Sequence, residues 1–180
     1  MPGVVLEIDD RDGMNVSVAI RKSEIDIAIV RGPFEAPDLD VELIHEEPFV
    51  VVMPADHPLA NRASVSPSDL IGNSFVLFPR AASAGLHDTI IGMCIRAGFS
   101  PQISQEANAW LSIMGLVESG FGITIAPKSA QAICPPAIVF RPIVGTDARA
   151  RLAMAHRRNT TNPLINRFQD VVRASVQLDL

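Results

Sequence analysis

The chain has 180 residues, of which 20 are acidic and 15 basic, and its formal net charge at pH 7 is -5. Hydrophobic residues make up 48% and charged residues 19%, which is typical of a globular protein and excludes a disordered one. The negative charge also excludes a surface that binds nucleic acid through its phosphates, so we expect no DNA contact by this chain itself.

The first half of the chain predicts short strands around one helix. Residues 4–8 and 25–30 are short β-branched runs and are predicted strands. The second run is apolar except for Asp26, so we expect it to be covered on both faces. Residues 13–23 mix helical spacing with alternation, and we predict a helix because a parallel crossover needs one. The remaining strands of this half are predicted at 41–44, 49–53 and 75–78.

The second half of the chain alternates helices with strands. Helices are predicted over 86–97, over 109–120 and from 163 onward. Gly98 stands at the C-cap of the first helix, and Asn108 and Asn162 are the expected N-caps of the other two. The last helix has a predicted buried stripe of Leu164, Ile165, Phe168, Val171, Val172 and Val176. Strands are predicted at 122–126, 137–143 and 151–156. This alternation predicts an α/β fold with mainly parallel sheets.

Enzyme signatures are missing from the sequence. The run His45-Glu-Glu47 lacks the second histidine of a zinc-protease helix, Gly120-Phe-Gly122 lacks the third glycine of a dinucleotide loop, and there is no G-x-S-x-G elbow. The four histidines, which are His45, His57, His87 and His156, are scattered without metal-ligand spacing. We therefore expect no catalytic constellation, no metal site and no cofactor.

The cysteines and the apolar runs indicate the compartment. Cys94 and Cys134 each stand in an apolar setting without a second pair, and we expect buried free thiols in a reducing cytosol. No apolar run approaches the ~20 residues that span a membrane, and the first residues do not resemble a signal peptide. The sequence thus predicts a cytoplasmic protein.

Charged side chains follow the carboxyl ends of two predicted strands, which is where open parallel sheets bind their ligands. Arg31 and Arg80 follow the strands 25–30 and 75–78, and a guanidinium there is able to hold a carboxylate by two hydrogen bonds. A surface ion pair is the alternative for each arginine. The small-residue loop 81–85 is either an anion-binding helix start or a plain connection. Trp110 is expected in the core rather than in a pocket.

Several segments stand in an order and spacing that is highly specific when they are taken together. They include Ile25-Asp-Ile-Ala-Ile-Val-Arg31, Phe75-Val-Leu-Phe-Pro-Arg80, Ala97-Gly-Phe-Ser-Pro101 and Gly115-Leu-Val-Glu-Ser-Gly-Phe-Gly-Ile-Thr-Ile-Ala-Pro127. With these segments the chain resembles, from residue 2 to about 170, the C-terminal effector-binding domain of LysR-type transcriptional regulators.

The resemblance implies a periplasmic-binding-protein-like fold (type 2) of two α/β subdomains, joined by a two-strand hinge around an effector cleft. Subdomain I would comprise residues 1–46 and 150–180, and subdomain II residues 47–149. On this template the effector-binding residues are expected to be Gly13, Met14, Arg31, Ala84, Gly85 and Leu86, with Arg80 added from the strand-end argument above.

Members of the family begin with a winged helix-turn-helix, a linker helix, and the first strand and helix of subdomain I. The chain starts after that helix, so we expect subdomain I to be incomplete and the cleft to be short of one wall. The lost helix also contributes to the usual side-by-side dimer, which makes dimerisation of this chain doubtful unless another chain pairs with the exposed sheet.

These observations favour a ligand-sensing domain of a LysR-type regulator. A small organic anion, expected to be a carboxylate, would bind between the subdomains. The full-length regulator would be a homodimer or tetramer that reaches DNA through the absent domain, without a membrane partner. One alternative is a solute-binding protein of the same fold, which predicts a secretion signal. A second is an enzyme on that scaffold, which would need catalytic residues.

Overall fold

A computed structural model describes residues 3–9, 13–133 and 135–177, and it describes the side chains of neither 13–15 nor 177. Its helices are α1 (Gly13–Arg21), α2 (Ala84–Arg96), α3 (Trp110–Glu118) and α4 (Pro163–Gln177). Its strands are β1 (Ile27–Arg31), β2 (Leu39–Pro54), β3 (Ser74–Leu77), β4 (Gln102–Glu106), β5 (Thr124–Pro127), β6 (Ile138–Pro142) and β7 (Arg149–Arg157). Short 3-10 helices occupy Pro67–Leu70 and Lys128–Ile133.

The long strand β2 organises the larger sheet. Its first part, up to Pro48, pairs with β7, and from Phe49 onward it pairs with β5 and β6. β1 lies on the far side of β7. The predicted strands 41–44 and 49–53 are therefore one strand of 16 residues. Pro48 is tolerated inside it because a residue without an N–H group fits where a strand changes partners.

The expectation of mainly parallel sheets is wrong for the described residues. All four strand pairs of the larger sheet are antiparallel, and only β3 and β4 pair in parallel as whole strands. The physical reason lies in the two long strands. β2 runs out of one part of the sheet and β7 runs back into it, so the two strands lie antiparallel and set the direction of their neighbours. The fold is mixed α/β, as predicted.

Two predictions about the first strands are wrong. Residues 4–8 form no strand within the described part of the chain, and Val5 is 94% exposed. An extended segment becomes a strand only when a neighbour completes its hydrogen bonds, and no described strand pairs with this one. β1 is confirmed as a strand, but Ile29 is 49% exposed and the burial of the strand alternates. The run is therefore not covered on both faces.

The helix ends show which sequence signals are reliable. Asn162 caps α4, since its Oδ1 accepts a hydrogen bond from the N–H of Leu164 at 3.0 Å, and Gly98 follows α2 with a φ of +91°. Asn108 is wrong as the cap of α3, because Ala109 occupies that position. The predicted stripe of α4 is also partly wrong. Ile165 is buried, whereas Leu164 and Val171 are exposed.

Three hydrophobic clusters fill the molecule. The first lies between α1 and the sheet of β1, β7 and the start of β2, and includes Val16, Ile20, Val30 and Ala155. The second and third lie on opposite faces of β2 beyond Pro48. Phe49, Val51 and Met53 pack on the side of α2, while Val50 and Val52 pack on the side of α3. This alternation follows from the two-residue period of a strand.

Cys94 is a buried free thiol, as predicted, and burial raises its pKa to about 11. Cys134 lies outside the described residues. Because the thiolate is the reactive form, we expect Cys94 in a Cys134→Ser variant to resist a disulfide reagent at pH 8 and to react fully in urea. Spectrophotometric thiol titration checks this, and rapid reaction of the folded variant would contradict the burial.

No helix in the described ranges is both long enough and apolar enough to cross a membrane.

Candidate functional site

A cleft of about 640 Å³ opens beside the stretch in which β2 and β7 run together. Residues 45–48 of β2 and 150–152 of β7 line it. The rest of the lining comes from Arg31, Leu86 and Val176, and from Pro127, Lys128, Ser129, Gln131 and Ala132 at and after the end of β5. The cleft therefore touches segments that pack into different hydrophobic clusters of the molecule.

Arg31 is the last residue of β1, and its backbone pairs with Leu152 of β7. The side chain is exposed and lines the cleft. Its guanidinium makes no hydrogen bond or ion pair with any residue that the structure describes. A guanidinium in such a position is able to hold a carboxylate by two hydrogen bonds, and the predicted role of Arg31 in binding stays a prediction.

Leu86 reaches the cleft through a close contact between two backbones. Gly32, which follows Arg31, is held by a hydrogen bond from its N–H to the carbonyl of Arg151 at 2.8 Å. A Cβ on Gly32 would lie 2.5 Å from Gly85 C and from Leu86 N. Only glycine permits this approach, and it brings the start of α2 against the end of β1.

The acidic groups of the cleft have partners. Glu46 accepts a hydrogen bond from Arg151 Nε at 2.8 Å. Glu47 accepts hydrogen bonds from Ser129 N at 2.6 Å and from Ser129 Oγ at 2.7 Å. The contact with Glu47 anchors the 3-10 helix of residues 128–133 to β2. Glu46 is thus paired with a cation, whereas the donors of Ser129 are neutral and leave the negative charge of Glu47 in the cleft.

Sequence reasoning missed Lys128 and His45, which both line the cleft. Lys128 directly follows β5, so the argument from carboxyl ends of strands could have found it. Its ammonium group has no hydrogen bond or ion pair within the described ranges. His45 lies where the register between β2 and β7 shifts. No sequence pattern predicts the position of such a shift.

Arg80 lies outside the cleft lining. Its Nε and Nη2 donate to the two carboxylate oxygens of Asp88, each at 2.8 Å, in an exposed ion pair. The hydrogen bonds from Arg80, with a smaller contribution from His87, lower the pKa of Asp88 to about 2. This is the surface ion pair named above as the alternative, and the predicted role of Arg80 in binding stays a prediction.

The other predicted positions are spread over two helix starts. Gly13 and Met14 begin α1, and their side chains lie outside the described part of the structure. Ala84 and Gly85 begin α2 and do not line the cleft, although Gly85 fixes the position of Leu86.

Trp110 packs in the core region, as expected. Its ring meets Phe78 edge to face, with ring centroids 4.8 Å apart and an interplanar angle of 83°. The described residues contain no group of three or more His, Cys, Asp or Glu side chains able to hold a metal ion.

A mixed α/β fold with a cleft beside its two long strands defines a ligand-binding domain of the periplasmic-binding-protein-like type. The family model described as the LysR substrate binding domain matches residues 1–177. The transcriptional regulator AlsR of Bacillus subtilis (strain 168) is 30% identical over 167 residues, which are 93% of this chain and 55% of AlsR. The chain belongs to the LysR substrate-binding domain family, and it spans about half the length of the curated relatives it matches.

Solved structures share the fold. The effector binding domain of a BenM variant has a TM-score of 0.89 at 23% identity, and the match covers 99% of this chain and 83% of that one. The BenM effector binding domain with its effector benzoate has a TM-score of 0.81 at 23% identity, with 94% and 77% covered. At these identities the likeness concerns the fold alone.

Proposed function

We propose that the chain is the ligand-sensing regulatory domain of a LysR-type transcriptional regulator, and that it binds a small carboxylate in the cleft. The observation that carries the proposal is the guanidinium of Arg31, which lines that cleft and has no partner among the residues that the structure describes. Family membership supports the regulatory role, and the benzoate of the BenM domain is itself a carboxylate. The ligand is bound and released without chemical turnover.

The proposed mechanism is a shift between two arrangements of two subdomains, residues 1–46 with 150–180 and residues 47–149. Separate hydrophobic clusters and the change of partners along β2 support this division. A ligand shifts the equilibrium only when it binds one arrangement more tightly than the other. The regulator would act in the cytoplasm as a homodimer or tetramer, with DNA bound by a different domain.

Titration of the chain with small aromatic and aliphatic carboxylates by calorimetry tests the proposal. We expect at least one acid to bind, and Arg31→Ala to weaken that acid about 10-fold to 100-fold, because a charge-assisted pair of hydrogen bonds is lost. Arg62→Ala is the matched control, since Arg62 is exposed and pairs with Asp69 away from the cleft.

Two results would contradict the proposal. The first is that no acid binds, and the second is that Arg31→Ala and Arg62→Ala give equal affinities. Product formation from a bound acid would instead indicate an enzyme. Arg80→Ala in the same titration tests the remaining predicted arginine, because a loss of affinity there would mean that Arg80 leaves Asp88 when ligand binds.

A further inference from the structure

Both oxygens of the Glu47 carboxylate are bonded to the same serine. Ser129 N donates to Oε2 of Glu47 at 2.6 Å, and Ser129 Oγ donates to Oε1 at 2.7 Å. Ser129 lies in the first turn of the 3-10 helix of residues 128–133, whereas Glu47 lies in β2 directly before Pro48, where that strand changes partners. The contact therefore joins two segments that are distant in the sequence and that both line the cleft.

The contact between Glu47 and Ser129 lies just beyond the end of the backbone pairing between β2 and β5. The pair Phe49 and Pro127 is the end of that pairing. If the same register continued by two residues, Glu47 would lie opposite Ser129, but the chain has already turned into the 3-10 helix. The side chain of Glu47 thus continues the attachment of this segment to β2 where the backbone pairing has stopped.

The 3-10 helix of residues 128–133 has little hydrophobic attachment of its own. Of its six residues, which are all described, only Ala130 is buried, and Ile133 is 47% exposed. A short 3-10 helix with few buried contacts opens locally at a low cost in free energy. Hydrogen bonds to a carboxylate are roughly twice as strong as neutral ones, so the two bonds from Ser129 contribute substantially to holding this helix in place.

We infer that Glu47 is a positioning residue of the cleft, which holds the 3-10 helix of residues 128–133 against β2 in the arrangement that binds ligand. The inference rests on the proposed function. The negative charge of Glu47 repels an anionic ligand, so removing the charge alone favours binding. Releasing the helix opposes binding, because the ligand must then order the helix again. The two effects have opposite signs, and substitutions of Glu47 separate them.

Glu47→Ala and Glu47→Gln both remove the charge, but only glutamine keeps the contact. Its amide oxygen is able to accept from Ser129 N, and its amide nitrogen is able to donate to Ser129 Oγ. By NMR, we expect the amide of Ser129 to exchange about 10-fold faster in Glu47→Ala than in the parent chain, and within about threefold of the parent in Glu47→Gln. In calorimetry with benzoate and hexanoate, Glu47→Ala should bind about threefold to 10-fold more weakly than Glu47→Gln.

Glu118→Ala is the control, because Glu118 is exposed at the end of α3 and lies outside the cleft lining. Its exchange rate at Ser129 and its affinities should equal those of the parent chain, and urea denaturation checks that every variant is folded. Equal affinities of Glu47→Ala and Glu47→Gln would mean that Glu47 does not position the cleft, which overturns this inference and leaves the proposed function standing.

A chain that binds none of the carboxylates in the titration series contradicts the proposed function. The amide exchange of Ser129 needs no ligand, so it still decides whether Glu47 holds the 3-10 helix. Equal exchange rates in the parent chain and in Glu47→Ala would overturn this inference as well.

Discussion

Gly32→Ala is expected to lower the free energy of unfolding by about 2–5 kcal/mol. Gly32 has a φ of +80°, which costs an L-residue about 1–2 kcal/mol. Its new Cβ would also lie 2.5 Å from Gly85 C and Leu86 N, and relieving such overpacking costs about 1–3 kcal/mol. The loop cannot simply move aside, because the N–H of Gly32 is bonded to Arg151. Urea denaturation followed by circular dichroism measures the loss.

Gly72→Ala separates the two causes. Gly72 has a φ of +83°, but a Cβ there would meet nothing within 4 Å, so we expect a loss of only about 1–2 kcal/mol. If both variants lose the same amount, the close approach at Gly32 does not exist in solution.

Gly85 forms the other side of the contact with Gly32, and alanine at Gly85 is expected to change the free energy of unfolding in the opposite direction to alanine in an open part of a helix. Gly85 lies in the first turn of α2, and a Cβ there would collide with the carbonyl oxygen of Pro33. We expect Gly85→Ala to destabilise the chain. Gly115 lies in α3 with open space around it, so Gly115→Ala should stabilise by about 0.5–1 kcal/mol through helix propensity. Helix propensity alone would predict stabilisation for both.

The sequence predicts the elements that carry local signals. The helices α2 and α4 have apolar spacing together with Gly98 or Asn162 at an end, and both are confirmed. Signals of this kind act within a few residues. β4 was not predicted, because all five of its side chains are exposed and no apolar alternation marks it. Its existence depends on β3 beside it.

The segments that were wrongly predicted depend on distant partners. Residues 4–8 have the composition of a strand but no neighbour in the described structure, and the apolar run of β1 leaves Ile29 exposed. Composition reports what a segment tolerates, whereas pairing and coverage are decided by elements far away in the sequence. For the same reason, the local sequence does not determine whether neighbouring strands run parallel or antiparallel.

Among the residues that line the cleft, the sequence predicted Arg31 and Leu86 but neither Lys128 nor His45. Arg31 lines the cleft and was predicted from its position at the end of a strand. Lys128 holds the same kind of position after the strand that ends at Pro127. Arg80 also follows a strand, but its guanidinium pairs with Asp88 in the first turns of α2. Whether a cation is paired depends on the fold: Arg80 pairs with Asp88, whereas Arg31 and Lys128 have no partner among the described residues.

Phe75→Ala is expected to be the most damaging single truncation, with a loss of about 3–5 kcal/mol in the free energy of unfolding. Phe75 is fully buried in the second cluster, where its ring centroid lies 6.2 Å from that of Phe99. Its backbone pairs with Ile103 of β4 and forms a bridge to Ile123, so its ring sits where three segments meet. Such a site collapses poorly around a cavity.

Two further variants test whether the loss comes from the buried position of Phe75. Phe121 is 47% exposed, so Phe121→Ala should lose less than about 1 kcal/mol in the same urea titration. Phe75→Leu retains most of the buried volume and should lose about 1–1.5 kcal/mol, which keeps it folded if Phe75→Ala is not. Equal losses for Phe75→Ala and Phe121→Ala would mean that Phe75 does not hold these three segments together.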